Sequence, residues 1–412
     1  MLKFVFLVCL SSLSVIQLNA QLTGCTDPLA LNYDAAAQLN NGSCLYPTTS
    51  VNVTSSLDLP ASLQESSGLI FYNNEIWSHN DNSDIKLYQI NPNDASQIAT
   101  QTILNCNNTD WEEITQDANY IYIGDFGNNS SGNRTDLHIL RIAKNSLFTS
   151  TLSVDTIWFT YSNQTDFSTT SGNNTNFDCE AFIVSSDSIY LFTKQWLNQQ
   201  STIYVLPKLP GTYSAQLKAT IPVNGLITGA NFQEDKRLIT LIGYSSLLQP
   251  FLYLLYDFQG TNFESGNKRK VGLNLPFHQT EGITSENGID YYVSNEYFSN
   301  AFATTPQKLH TLNLSNFLQP YINSLTNHIE TLNESYNLTL TPNPTNQSIS
   351  IHSENLTFKT IVIYTNFGKI VQQTSGNEAN ELTLNVASLL PGSYFLSVIS
   401  DKGVLNRNFI KL

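Results

Sequence analysis

Between residues 51 and 316 the apolar and polar positions fall into a unit that recurs five times. Glu65-Ser-Ser-Gly-Leu-Ile is followed by Glu75-Ile-Trp-Ser-His-Asn-Asp81, and Asp110-Trp-Glu-Glu-Ile-Thr by Tyr120-Ile-Tyr-Ile-Gly-Asp125. Asp178-Cys-Glu-Ala-Phe-Ile precedes Ser188-Ile-Tyr-Leu-Phe-Thr-Lys194, and Gln279-Thr-Glu-Gly-Ile-Thr precedes Ile289-Asp-Tyr-Tyr-Val-Ser-Asn-Glu296. A degenerate copy, Thr228-Gly-Ala-Asn-Phe with Arg237-Leu-Ile-Thr-Leu-Ile-Gly243, lies between them. Each copy reads as a strand, a polar turn and a second strand. Third strands are expected at 85–90, 137–142, 202–206, 252–258 and 308–314, and fourth strands at 99–104, 156–161, 217–223 and 269–273. Four-stranded units at intervals of about 50 residues are the blades of a β-propeller. One longer interval contains the polar tract 161–176, read as an inserted loop; a weak sixth blade hidden there is the alternative. The last copy lacks a fourth strand, and 51–57 supplies it, closing the ring and hiding both edges.

Residues 337–412 change to a simpler alternation, with short strands near 338–340, 349–351, 360–364, 370–373, 382–386, 394–399 and 406–410. Seven short strands in such a span predict an immunoglobulin-like sandwich. The whole chain is thus expected to be all-β, with a five-bladed propeller at 51–316, a polar, partly helical linker at 317–336 and a small β-sandwich at 337–412. The last segment carries Leu338-Thr-Leu-Thr-Pro-Asn-Pro344, Ile361-Val-Ile-Tyr-Thr-Asn-Phe-Gly-Lys369, Leu389-Leu-Pro-Gly-Ser-Tyr-Phe-Leu396 and a closing Asn408-Phe-Ile-Lys-Leu412. In that order these motifs resemble the C-terminal sorting domain, type A, of bacterial type IX secretion cargo. The resemblance implies recognition by the type IX secretion machinery, and often removal of the domain with attachment of the cargo to surface lipopolysaccharide. Residues 1–20, with Lys3, an apolar run over 4–15 and Ala20 before Gln21, read as a signal peptide. That run is shorter than the ~20 residues a membrane span needs. The expected location is the outer-membrane surface or the medium, with no membrane span.

The formal net charge of −14 argues against nucleic acid as a partner. Twenty Tyr and 22 Phe against one Met favour strands over helices. Once the signal peptide is removed with Cys9, four cysteines remain. Cys25 and Cys44 bound a segment too small for its own core, and a disulfide closing it suits export through an oxidising compartment. The stretch Gly24-Cys-Thr-Asp-Pro28, Asn32-Tyr33 and Asn41-Gly-Ser-Cys44 also resembles a short Cys-bounded module of surface proteins using the same route, here 21–48. Cys106 and Cys179 form either a second bridge or two buried thiols.

A propeller's first strands line the axis, and the second strands run back beside them. The start of strand one and the end of strand two therefore share one face of the molecule. The first set is Glu65, Asp110, Glu112, Asp178, Glu180 and Glu281; the second is Asp81, Asp125, Lys194 and Glu296. Together these ten form the expected ligand-binding funnel. By strand alternation Asp110 and Glu112 should share a face with Ile114, and Asp178 and Glu180 with Phe182. Carboxylates gathered in a narrow mouth repel one another unless cations neutralise them. Oxygen ligands of this kind suit Ca²⁺, with Glu112, Glu180 and Glu281 as the candidate metal ligands. The plainer alternative is that such acids accept backbone N–H groups of the next blade. His79 reads as a structural turn residue rather than a general base.

The motifs Glu-Ser-Ser-Gly-Leu, Asp-Trp-Glu-Glu-Ile and Gly-Asp-Phe-Gly-Asn-Asn, in this order, resemble a family of secreted bacterial propellers; the resemblance implies fold and export but no activity. More distantly, five blades with axial acids are similar to calcium-dependent nucleotidases, which also need basic residues for phosphate, and this mouth offers few. Gly-x-Ser-x-Gly, P-loop and His-Glu-x-x-His signatures are missing from the sequence. Two functions compete: a binding module for a small ligand or glycan, and a metal-dependent hydrolase of the phosphoesterase type.

Overall fold

The computed structural model describes residues 22–149, 152–300, 304–335, 337–365, 370–400 and 403–412, so the expected signal peptide lies outside the described residues. Five antiparallel blades follow one another. Blade 1 comprises Ser66–Tyr72, Glu75–Asn80, Lys86–Ile90 and Gln97–Thr102; blade 2 comprises Trp111–Gln116, Tyr120–Asp125, His138–Ala143 and Val154–Tyr161. Blade 3 comprises Asp178–Val184, Ser188–Lys194, Ser201–Pro207 and Gly211–Ile221, and blade 4 comprises Leu226–Gln233, Leu238–Tyr244, Pro250–Tyr256 and Asn267–Leu273. Blade 5 takes Thr280–Thr284, Asp290–Asn295 and Lys308–Asn313 from the end of the propeller and Ser55–Asp58 from its beginning. The expected closing strand at 51–57 is therefore split. Ser50–Val51 pairs with the outer strand of blade 4, and the chain then crosses to blade 5. Each first strand touches the next, and the fifth touches the first, so the ring is closed with five blades.

The polar tract after Tyr161 makes no sixth blade. It folds over the loop of blade 2, with Thr170 N donating to Ser131 O (2.9 Å) and Asn173 N to Asn129 O (2.8 Å). Just before it, Val154–Tyr161 pairs in parallel with Gly211–Ile221, which fuses blades 2 and 3 into one eight-stranded sheet.

Aromatic side chains fill the wedges between blades. Trp77 and Trp111 pack between blades 1 and 2, while Phe126, Phe159, Phe182 and Tyr204 pack between blades 2 and 3. Phe126 and Phe182 meet edge to face with ring centroids 5.3 Å apart. Each such ring, fully buried, contributes about 1.5–3 kcal/mol. The wedges also settle the cysteines. Cys106 faces the first wedge and Cys179 the second, with blade 2 between them, and both are free thiols. A second disulfide does not form.

Cys25 and Cys44 are bridged, with Cα atoms 4.8 Å apart. The small module they close sits on the outer strands of blade 4. Asp27 accepts the Tyr46 hydroxyl (2.8 Å) and the Tyr256 hydroxyl, and Asn40 Nδ2 donates to Asn267 Oδ1 (2.8 Å) and Asp257 Oδ2 (3.0 Å).

The helix Ser315–Ser335 covers the segment expected to be a linker. Among the described residues no helix is long and apolar enough to cross a membrane. Among the described residues the C-terminal unit holds seven strands in two sheets. Leu338–Thr341, Ser348–Ser353 and Glu381–Asn385 form one; Ile370–Ala379, Phe358–Thr365, Gly392–Ser400 and Val404–Lys411 form the other. Ile349, Ile351, Phe358, Ile363, Leu396 and Phe409 pack between them.

Candidate functional site

Every first strand carries the same irregularity. The first strand carries one extra residue against the second: the pairing passes over Glu112, Glu180 and Thr228 in blades 2 to 4, and over Ser67-Gly68 and Glu281-Gly282 opposite a single residue in blades 1 and 5. An extra residue at this point is a β-bulge, which breaks strict alternation and re-aims the side chain. The expected face-sharing of Glu112 with Ile114 and of Glu180 with Phe182 is overturned for this reason. Ile114 instead shares a wedge with Trp111, and Phe182 with Cys179, three residues apart in each case. The bulges also set the equivalences between copies. In this register Ser67 is the blade 1 counterpart of Glu112, and Thr228 is the blade 4 member.

The two hydroxyl members close the ring through main chain. Ser67 Oγ donates to Glu112 O of the next blade, and Thr228 Oγ1 to Thr280 O at 2.6 Å. The three acidic members lie among charged neighbours instead. Oxygens of Glu112, Asp178 and Glu180 lie within 4.8 Å of one another, and all three residues are buried. Gly127 makes room for this approach, since a Cβ there would lie 2.1 Å from Glu112 Oε1 and 2.4 Å from Asp110 Oδ2. Asp178 is anchored by Asn128 N (2.6 Å) and Trp196 Nε1 (2.8 Å). Glu180 Oε1 lies 2.9 Å from Lys194 Nζ, an ion pair buried on both sides.

A second group, Glu65, Asp81 and Glu296, also has oxygens within 4.8 Å of one another and is half-buried. Position explains its members. Asp81 and Glu296 follow their second strands directly and donate their N–H groups to the carbonyls of Glu65 and Gln279 at 3.2 Å. Lys194 occupies the same place opposite Asp178. Asp125 falls one residue earlier, opposite Trp111, and the pleat turns it away. Its carboxylate is held by Arg134 (2.7 Å) and Thr109 N (3.0 Å), so Arg134 is also committed there.

Electrostatics join the two groups into one mouth. Burial, then Glu180, pushes Glu112 well above the usual carboxylate range, and burial with Glu180 does the same to Asp178. Burial and Glu65 raise Asp81 to about 7, burial and Asp81 raise Glu296 to about 8, and burial and Asp178 raise Asp110 to about 6. Burial also raises Glu281, whose charged neighbours are Lys194, Glu296, Glu180 and Asp81; it belongs to neither close group, and Asp178 stands where it was expected beside Glu112 and Glu180. Burial works against the Lys194 ammonium, but Glu180, Tyr244 and Glu281 outweigh it and hold the charge. The side chain lies over the rings of Trp196 (4.8 Å) and Tyr244 (5.2 Å).

Sequence reasoning passed over Glu113. This fully buried residue crosses the ring: its oxygens accept Ile114 N (2.9 Å) and Ala230 N (2.8 Å), and Leu69 N also bonds to it. It takes the role of an acid satisfied by main chain. The missed signal was the absence of a small residue at its position, where blades 1, 4 and 5 have Gly68, Gly229 and Gly282. His79 is fully buried against Trp111, with its pKa lowered to about 4 by burial, a core side chain.

A closed five-bladed ring with one acidic mouth, joined to a separate β-sandwich, defines an exported propeller once the tail is compared with known families. Residues 339–412 match the secretion system C-terminal sorting domain, and the chain is thereby cargo directed to the cell surface or the medium, engaging the type IX secretion machinery. No curated protein matches the sequence. Among solved structures, one similar chain is PorZ of Porphyromonas gingivalis, described as an essential bacterial surface component of the type-IX secretion system. It shares 11% identity over 84% of this chain and 45% of that one, with a TM-score of 0.30. This chain thus spans less than half the length of PorZ. The RRP9 WD40 repeats align at 10% identity over 65% of this chain and all of that one (TM-score 0.32). A quinonprotein alcohol dehydrogenase-like protein from Bacteroides thetaiotaomicron aligns at 10% over 84% and 72% (TM-score 0.29). At such identities these likenesses concern fold alone.

Proposed function

We propose that this exported propeller is a binding module whose acidic mouth takes up a divalent cation, Ca²⁺ by its ligand chemistry. The carrying observation is the buried grouping of Glu112, Asp178 and Glu180 oxygens within 4.8 Å, with the single ammonium of Lys194 paired against them. Three carboxylates against one ammonium leave an excess of negative charge in a poorly solvated place. Only protons or a cation relieve it. Oxygen-only ligands favour Ca²⁺ or Mg²⁺ over zinc. The phosphoesterase alternative has less support, since the two bases near the acids, Lys194 and Arg134, are spent on Glu180 and Asp125.

The test is thermal unfolding of the mature chain with Ca²⁺ and with chelator. A cation at about 100 times its dissociation constant adds about 2.7 kcal/mol. At about 2–4 °C per kcal/mol, that is a rise of roughly 5–11 °C. Glu112→Gln and Glu180→Gln should abolish the rise. Equal melting temperatures with Ca²⁺, Mg²⁺ and chelator would overturn the reading.

A further inference from the structure

Beside the acids, the mouth has an uncharged half. At the first position, where blades 1 to 3 carry Glu65, Asp110 and Asp178, blades 4 and 5 carry Leu226 and Gln279. These two, with Trp196, Gln199, Tyr244 and Ser245, line a hollow of about 250 Å³. The hollow is tied to both acidic groups. Trp196 Nε1 donates to Asp178 Oδ2 (2.8 Å), and Gln279 Nε2 donates to Glu296 Oε1 (2.5 Å).

We infer that this hollow binds a neutral saccharide, one sugar ring deep. Trp196, half-buried, offers apolar surface to ring C–H groups, while the amides of Gln199 and Gln279 and the hydroxyl of Ser245 match sugar hydroxyls. Its bond to Asp178 fixes the plane of Trp196 before any ligand arrives. The charge balance selects against other classes. An anionic ligand meets the carboxylates of both groups and no lining residue of positive charge. A cationic ligand meets Lys194, whose ammonium already lies over Trp196 and Tyr244. A neutral polyol avoids both penalties. The inference rests on the mouth being a binding site but does not require the cation.

The experiment titrates the full mature chain with maltose, cellobiose and lactose, following tryptophan fluorescence and heat of binding, once with Ca²⁺ and once with chelator. Sialyllactose and the glucosamine dimer serve as the anionic and cationic probes. At least one neutral disaccharide should bind, in chelator as well, and at least 10-fold more tightly than either charged probe. Ser246→Trp, which fills the hollow from its exposed rim, should weaken binding at least 10-fold and leave the melting temperature and its response to Ca²⁺ unchanged. Gln279→Ala provides a second, smaller loss. Binding of the glucosamine dimer alone, binding of no saccharide, or unaltered binding by Ser246→Trp would each overturn the inference. None of these outcomes bears on the cation, whose test is the melt without sugar.

Discussion

Replacing Lys194 by Met removes an ammonium from among the mouth carboxylates while keeping most of the side-chain volume. Lys194 and Glu180 are 4% and 3% exposed, with 2.9 Å between Nζ and Oε1. Removing one partner of a pair so buried costs about 3–5 kcal/mol, because the other charge is left uncompensated. Asp178 and Glu281 act on the same ammonium, so the loss should lie in the upper part of that range. At about 2–4 °C per kcal/mol the melting temperature at pH 8 in chelator falls by roughly 6–20 °C. Two companion results follow from the same geometry. The fall should shrink at pH 5, where raised carboxyl pKa values let the acids take up protons. It should also shrink in Lys194→Met/Glu180→Gln, where the stranded charge is gone. Circular dichroism melts of the mature chain, with and without Ca²⁺, read all of these. A melting temperature at pH 8 within 2 °C of the parent (about 1 kcal/mol or less) would refute the reasoning, since the ammonium would then carry no net role.

Stability should also depend on pH in a direction opposite to that of ordinary acid unfolding. Asp110, Asp81 and Glu296 sit at about 6, 7 and 8 in the folded state, so between their unfolded values near 4 and these values the folded chain holds more protons. In chelator the melting temperature therefore falls as pH rises from about 4.5 to 8, and added Ca²⁺ flattens that slope; a rising or level profile in chelator contradicts it. Glu113→Ala strands the three buried N–H groups of Ile114, Ala230 and Leu69 and should cost about 3–5 kcal/mol in urea unfolding. Substituting Cys25 and Cys44 together by Ser opens a 19-residue separation and should cost about 3 kcal/mol, seen as faster hydrogen exchange over residues 22–47.

The chain's own pattern determined a good deal. Alternation and the recurring copies determined most of the strands and favoured five blades closed by a segment from before the first, because burial on a pleated sheet is a local, period-two constraint written along the chain. The tail motifs likewise determined the sandwich and its sorting role. That acids far apart along the chain would gather was an expectation from repetition, since equivalent positions in a closed ring lie at one end. What only the tertiary structure decided is which of them meet. A single bulged residue per first strand turns Glu112 and Glu180 toward Asp178, sends Ile114 and Phe182 into the wedges, and leaves Glu113 to cross the ring. Bulges carry weak sequence signals because they are defined by the partner strand's register, not by the residue itself. The hollow beside the acids was illegible for a similar reason. Trp196, Tyr244 and Gln279 come from three blades, and nothing in any one copy marks them as neighbours.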